Sequence, residues 1–226
     1  MQANRATSGM KALIVYCHPS ATSFNHSVLE TVTDELTQAG AETRVIDLYA
    51  ERFQPSLTLE DWTDYEDTSC NTDRIGPHVE SLQWCNALIF VYPTWWFGQP
   101  AMLKGWLDRV LVPGVAFTMP CEDNKRFGHT LKHIKHLGVF TTCGASFWLT
   151  KLIGSPGKRI LMRGLRALCH DRARTVFAAH YRMDFSTSDS RTRHLARVRK
   201  KMRKLIGQPT AAVPVAGYPN KVRQTA

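Results

Sequence analysis

Residues Ala87–Pro100 read ALIFVYPTWWFGQP. The first six, Ala87–Tyr92, form an unbroken apolar run rich in branched and aromatic side chains. Such a run predicts a strand buried on both faces. The next nine, Tyr92-Pro93-Thr94-Trp95-Trp96-Phe97-Gly98-Gln99-Pro100, set three consecutive aromatics where a connecting loop is normally polar. Pro100 predicts a helix start at the first helical position, where its missing N–H costs nothing. Helical spacing then places Leu103, Trp106, Leu107 and Val110 toward a core.

Working outward, the same kind of run recurs at Ala12–Cys17 (ALIVYC), Thr43–Leu48 (TRVIDL), Leu137–Thr142 (LGVFTT) and Thr175–Ala179 (TVFAA). Helical patterns separate them. Val28, Leu29, Val32, Leu36 and Ala39 follow Asn25, a predicted N-cap, and stop at Gly40. Residues 79–86, 160–169 and 192–206 read as further helices. Leu57–Arg74 is an acidic surface excursion, and 113–132 a long irregular insertion. Five buried strands alternating with helices predict an α/β fold, a parallel sheet covered on both faces. Right-handed crossovers make the doubly wound order 2-1-3-4-5 the best fit. Residues 1–9 read as a flexible leader, 10–207 as the domain and 208–226 as an extended tail.

In an open parallel sheet the ligand sits beyond the carboxyl ends of the strands, where the strand order reverses. The loop after strand one, His18-Pro19-Ser20-Ala21-Thr22-Ser23-Phe24-Asn25, holds no glycine. A dinucleotide fold would place G-x-G-x-x-G there. Hydroxyls beside a helix start make an anion site instead. The aromatics after strand three suit a planar heteroaromatic ring, or an interface between copies. After strand four, Thr141-Thr142-Cys143-Gly144-Ala145-Ser146 offers small residues that admit a ligand close to the backbone. Together the three loops make an anion cradle, an aromatic wall and a close backbone.

Composition narrows the rest. The chain has 226 residues, 43% hydrophobic and 21% charged, with a net charge of +10. General disorder and a membrane-spanning helix are excluded. The start, MQANRATSGM, lacks the apolar run of a secretory signal. Six cysteines with no C-x-x-C predict reduced, buried thiols in a cytoplasmic protein. Residues 1–150 carry a net −5 and residues 151–226 a net +15. The basic tract Arg191–Lys204 keeps helical spacing and has no aromatics for base stacking, so no nucleic-acid partner is expected. His129 and His133 stand at i, i+4 with no third ligand, so no metal is expected. No P-loop and no G-x-S-x-G occurs. Cys143 reads as a packed small residue, and Asp47 as a turn residue.

Taken in order, YCHPSATSFNHSV, YPTWWFGQPAMLKGWLDRVL and TTCG resemble the flavodoxin-like NAD(P)H dehydrogenases (quinone). That family includes DT-diaphorase and the ancillary oxidoreductases of bacterial potassium-efflux systems. The likeness runs from residue 11 to about 206 and implies a flavodoxin-like fold with bound flavin, FAD or FMN, and NAD(P)H as co-substrate. It implies a quinone-like acceptor reduced by two electrons. Carried over, His18, Thr22, Ser23, Phe24 and Asn25 hold the phosphate portion. Pro93, Thr94, Trp95, Trp96 and Phe97 line the isoalloxazine, and Thr141, Thr142 and Gly144 close over its polar edge. Two features depart from the family pattern. Cys143 stands where glycine is common, and Ala145–Ser155 lacks the tyrosine and histidine thought to help charge on the reduced flavin, so no catalytic side chain is assigned. A homodimer is expected, with Trp95, Trp96 and Trp106 exposed near one edge. The alternative is a regulatory subunit of a transport system, with little turnover, that docks through its basic helix on a membrane-associated partner.

Overall fold

The computed structural model describes residues 9–120 and 125–208. Most of the expected leader and tail, and Cys121, lie outside the described residues. Five parallel strands form the main sheet: β1 Lys11–Tyr16, β2 Glu42–Asp47, β3 Ala87–Thr94, β4 His136–Cys143 and β5 Arg174–His180. In these labels their order is β2-β1-β3-β4-β5. Two further strands of two residues each, Phe117–Thr118 and Gly128–His129, pair antiparallel with each other, away from the main sheet. Together with a single parallel bridge between Pro113 and Phe117, they order the described residues of the 113–132 insertion.

The unbroken apolar runs arise because both sheet faces are covered. Leu13, Val15, Leu88 and Phe90 pack on one side against α3 (Gly76–Trp84) and α4 (Ala101–Val110), chiefly Leu82, Leu103, Trp106 and Val110. Ile14, Tyr16, Ile89 and Val91 alternate to the other side. They meet Val28, Val32 and Leu36 of α1 (Phe24–Gln38) and Val198, Met202 and Leu205 of α8 (Ser188–Ile206). Trp106 is fully buried, its ring edge-on to Phe90 at 6.0 Å. The expected exposure of Trp106 at an edge is therefore corrected, because its indole fills the core beneath β3.

Helix ends differ from the sequence reading in instructive ways. Ser23, not Asn25, caps α1: its side chain accepts the His26 N–H. Gly40 follows at φ +71°, a left-handed stop as expected. Pro100 is the N-cap of α4 rather than its first residue. The acidic excursion contains α2 (Leu59–Thr63), started by a Thr58–Asp61 capping box. Asp61 ties it down through Arg74 at 2.7 Å and Arg109 at 3.1 Å. A short helix that the sequence did not announce, α5 (Phe147–Leu152), follows β4. The predicted helix at 160–169 is composite: α6 (Pro156–Arg159), a π-helical stretch Ile160–Leu165, then α7 (Arg166–Leu168).

Candidate functional site

The carboxyl ends of β1, β3 and β4 deliver their three loops to one cleft of about 700 Å³. Its first wall is His18, Ser23, Phe24 and Asn25. Ser23 is occupied by its capping bond, but the N–H groups of Phe24 and Asn25 open the helix, where no intrahelical acceptor exists. This is the helix start that the sequence offers as a candidate anion cradle. Burial lowers the His18 pKa, so its ring is neutral near pH 7. Its Nδ1 lies 3.0 Å from the Ser20 backbone nitrogen and 3.1 Å from the Ser20 carbonyl oxygen, so the ring is anchored on Ser20 through Nδ1. Thr22 lies off the cleft wall, exposed on the loop, with its Oγ1 3.1 Å from Ser20 Oγ.

Phe24 is backed by His180 and His194, with ring centroids 5.4 and 5.9 Å away, and the Arg191 guanidinium stands 5.9 Å above it. Burial, then His180 and Arg197, push His194 down to about 3, so this backing imidazole carries no charge. Asn25 is nearly sealed at 3% exposure. Its Nδ2 donates to Thr142 Oγ1 at 2.8 Å, joining the first wall to the third. Its Oδ1 is buried without a partner among the described residues. Buried acceptors are seldom left unsatisfied, and this one is available to a ligand donor.

Pro93, Thr94 and the three aromatics form the second wall. Trp95–Gly98 is a tight turn closed by the Gly98 N–H on the Trp95 carbonyl at 3.0 Å. Its central residues, Trp96 at φ +47° and Phe97 at φ +61°, both lie in the left-handed region. That region costs a side-chain-bearing residue ~1–2 kcal/mol. Strain of this kind is characteristic of ligand clamps. Trp96 is 95% exposed, so its indole has no packing role within the chain. The turn is held from behind by Gly157, whose N–H donates to the Phe97 carbonyl at 3.0 Å, while Gln99 Nε2 donates to the Gly157 carbonyl at 2.8 Å. A Cβ at 157 would stand 3.0 Å from the Phe97 carbonyl oxygen and 3.1 Å from Gly98 Cα, so the close approach needs glycine.

The third wall is Thr142, Cys143, Gly144 and Ala145. Thr141 sits behind it, bonded to Thr94 Oγ1 at 2.7 Å and facing a separate inner cavity of about 20 Å³. Cys143 is buried, its Sγ 3.8 Å from Thr150 Oγ1, as a packed thiol should be. Burial pushes Cys17 and Cys85 to about 12 and Cys169 to about 11, so these thiols stay protonated. Met183 and Asp184, in the 3₁₀ turn Met183–Phe185 after β5, close the cleft on the Gly144 side. The sequence reading passed over them. The available signal was an acid at the carboxyl end of a strand within an otherwise basic third of the chain.

The cleft volume falls within the ~300–1,000 Å³ usual for small-molecule sites. An anion cradle, an unshared indole and an orphaned buried acceptor fit a planar heteroaromatic group that carries phosphate, which is the chemistry of a flavin nucleotide.

A family model described as flavodoxin-like fold matches residues 10–205. The chain is similar to ribosyldihydronicotinamide dehydrogenase (quinone) of Pongo abelii, 38% identical over 130 residues, covering 50% of this chain and 56% of that protein. The Rattus norvegicus protein of the same name is 34% identical over 161 residues, covering 64% of this chain and 68% of its own. The alignments thus span between about half and two thirds of these curated relatives. A solved NAD(P)H:quinone oxidoreductase from Methanothermobacter marburgensis superposes with a TM-score of 0.74 at 28% identity, covering 87% of this chain and 96% of that one. With the whole sheet and all three cleft loops inside the matched span, the chain belongs to the family of flavodoxin-like fold.

Proposed function

We propose that this chain is a flavin-dependent NAD(P)H oxidoreductase that passes hydride from the reduced nicotinamide to a quinone-like acceptor. The observation that carries the reading is the convergence of the α1 N-terminus, the strained Trp96–Phe97 turn and Gly144 on one cleft. A bound flavin, FAD or FMN, supplies the hydride-accepting centre. The chain's own groups bind and orient it. The Phe24 and Asn25 N–H groups and the His18 ring would hold the phosphate portion. Trp95, Trp96 and Phe97 provide stacking surface, and Asn25 ties that region to Thr142. Backbone N–H groups around Thr142–Gly144, which line the cleft, would stabilise the charge that such a group gains on reduction. Reductant and acceptor share one open side of the cleft, so they bind in turn and the kinetics are ping-pong.

A homodimer accompanies this reading. The exposed face of α5, with Trp148 at 72% and Leu152 at 84% exposure, gives the chain an apolar surface that pairing would cover. Four of the five described cysteines are buried free thiols, Cys70 being the partly exposed exception to the sequence expectation; this supports a cytoplasmic setting, and no described helix is long and apolar enough to cross a membrane. A second reading, a flavin-binding regulatory subunit with little turnover, draws support from α8. There Arg193, Arg197, Lys200 and Lys204 form one exposed cationic stripe. Its spacing of four, three and four residues keeps these side chains on one helical face.

The test is direct. Purified protein should be yellow and release FAD or FMN on heating. Rapid oxidation of NADH or NADPH with added quinone supports the enzyme, whereas flavin binding with negligible turnover and capture of a partner supports the subunit. Failure to bind either flavin at saturation defeats both.

A further inference from the structure

We infer that Asp184 tunes the bound flavin by opposing the negative charge gained at the ring's polar edge on reduction; this rests on the flavin reading above. Among the side chains lining the cleft, only those of His18, Cys143 and Asp184 are ionisable. His18 belongs to the β1 loop, its ring anchored on Ser20. The Cys143 thiol is buried against Thr150. At the Gly144 end, therefore, Asp184 is the ionisable group that remains.

Its carboxylate is admitted by the lack of a side chain at 144: a Cβ there would stand 2.9 Å from Asp184 Oδ2. No described residue hydrogen-bonds or ion-pairs with this carboxylate. The nearby Arg182 guanidinium instead lies 5.5 Å above the Phe185 ring. Ala145–Ser155, where the family resemblance leads one to expect a tyrosine and a histidine, contains neither. Where those groups would donate to the growing charge, an ionised carboxylate can only accept hydrogen bonds. The chain thus sets a fixed negative charge beside the edge that turns negative.

Like charges at short range disfavour each other; Asp184 is solvent-exposed, so screening weakens the effect without removing it. Asp184 therefore weakens the grip on reduced flavin relative to oxidised flavin and makes the bound flavin a stronger reductant toward its acceptor. Removing the charge should shift that affinity ratio by about tenfold, equivalent to ~30 mV for a two-electron couple.

The experiment is a spectroelectrochemical titration of flavin-loaded wild type, Asp184→Asn and Asp184→Ser, with the dissociation constant of oxidised flavin measured alongside. The expected result is a midpoint potential about 30 mV more positive in both neutral variants, with oxidised-flavin affinity changed by less than about twofold. Asp184→Glu, which keeps the charge, should stay near the wild-type potential. A potential that is unmoved or more negative in the neutral variants, with flavin still bound, overturns the inference and leaves the flavin reading intact. Wild-type protein that takes up neither FAD nor FMN defeats the flavin reading itself, and this inference with it.

Discussion

Replacing Trp96 should move stability and flavin affinity in different directions. At φ +47° the tryptophan bears a left-handed backbone cost of ~1–2 kcal/mol. At 95% exposure its side chain contributes little to the core, so Trp96→Ala should change stability by no more than about 0.5 kcal/mol. Trp96→Gly removes the backbone cost but gives back ~0.5–1 kcal/mol of unfolded-chain freedom relative to alanine. The net expectation runs from neutral to about 1.5 kcal/mol more stable than the alanine variant. Flavin binding should weaken in both. A lost ring contact is worth ~0.5–1.5 kcal/mol beyond burial, so dissociation constants should rise roughly two- to tenfold. Urea unfolding of the flavin-free protein gives the first quantity, and titration followed by flavin fluorescence gives the second. A glycine variant less stable than the alanine variant would refute the claim that the turn is strained. Wild-type affinity in both variants would show that the indole does not meet the ring.

Three further outcomes follow from packing and charge. Gly105→Ala would drive a methyl group into the Pro55 backbone and should destabilise the chain by ~3 kcal/mol or prevent its soluble expression, read by thermal unfolding. Glu35 and Arg203 lock α1 to α8 through contacts of 2.9 and 3.3 Å, with side chains 3% and 15% exposed. Glu35→Ala should cost ~3–5 kcal/mol, while Glu35→Leu combined with Arg203→Met should recover most of that in denaturant titrations. Burial tends to raise the Asp61 carboxyl, but the Thr58 N–H, Arg74 and Arg109 outweigh it and hold the pKa at about 2. Its folded value lies below the unfolded ~3.9, so this stabilisation is present above pH ~4 and lost as the pH falls toward 2. Wild type should lose ~2 kcal/mol over that window, and Asp61→Asn should show no such acid limb.

The sequence made the sheet legible because every central strand is buried on both sides, so ALIVYC, ALIFVY and LGVFTT carry their own signal. The cleft walls were legible for a related reason: they are the loops directly after those strands. Local pattern failed where distant groups decide. Ser23 and Asn25 are equally good caps by residue type. Only Thr142, 117 residues away, draws Asn25 inward and leaves the cap to Ser23. Helix α5 went unread because Trp148 and Leu152 point outward, the reverse of the pattern by which a helix is recognised in a monomer. For Trp106 the helical spacing of α4 was the sound guide, placing it in the core under Phe90, and the dimer expectation that put it at an exposed edge was the one that failed. Gly157 and Asp184 show the same limit at the site itself. A glycine after a proline reads as a helix-start residue, and an acid after a strand reads as a turn residue. What gives each a role is a close approach: Gly157 to the Phe97 carbonyl 60 positions earlier, and Asp184 to the space left open at Gly144, 40 positions earlier. Residues that lean on a site from another strand's loop leave no periodicity behind them. Residues such as Gly157 and Asp184, which approach the cleft from another loop, are therefore the ones a linear reading passes over, and the loops that form its walls are the ones it finds.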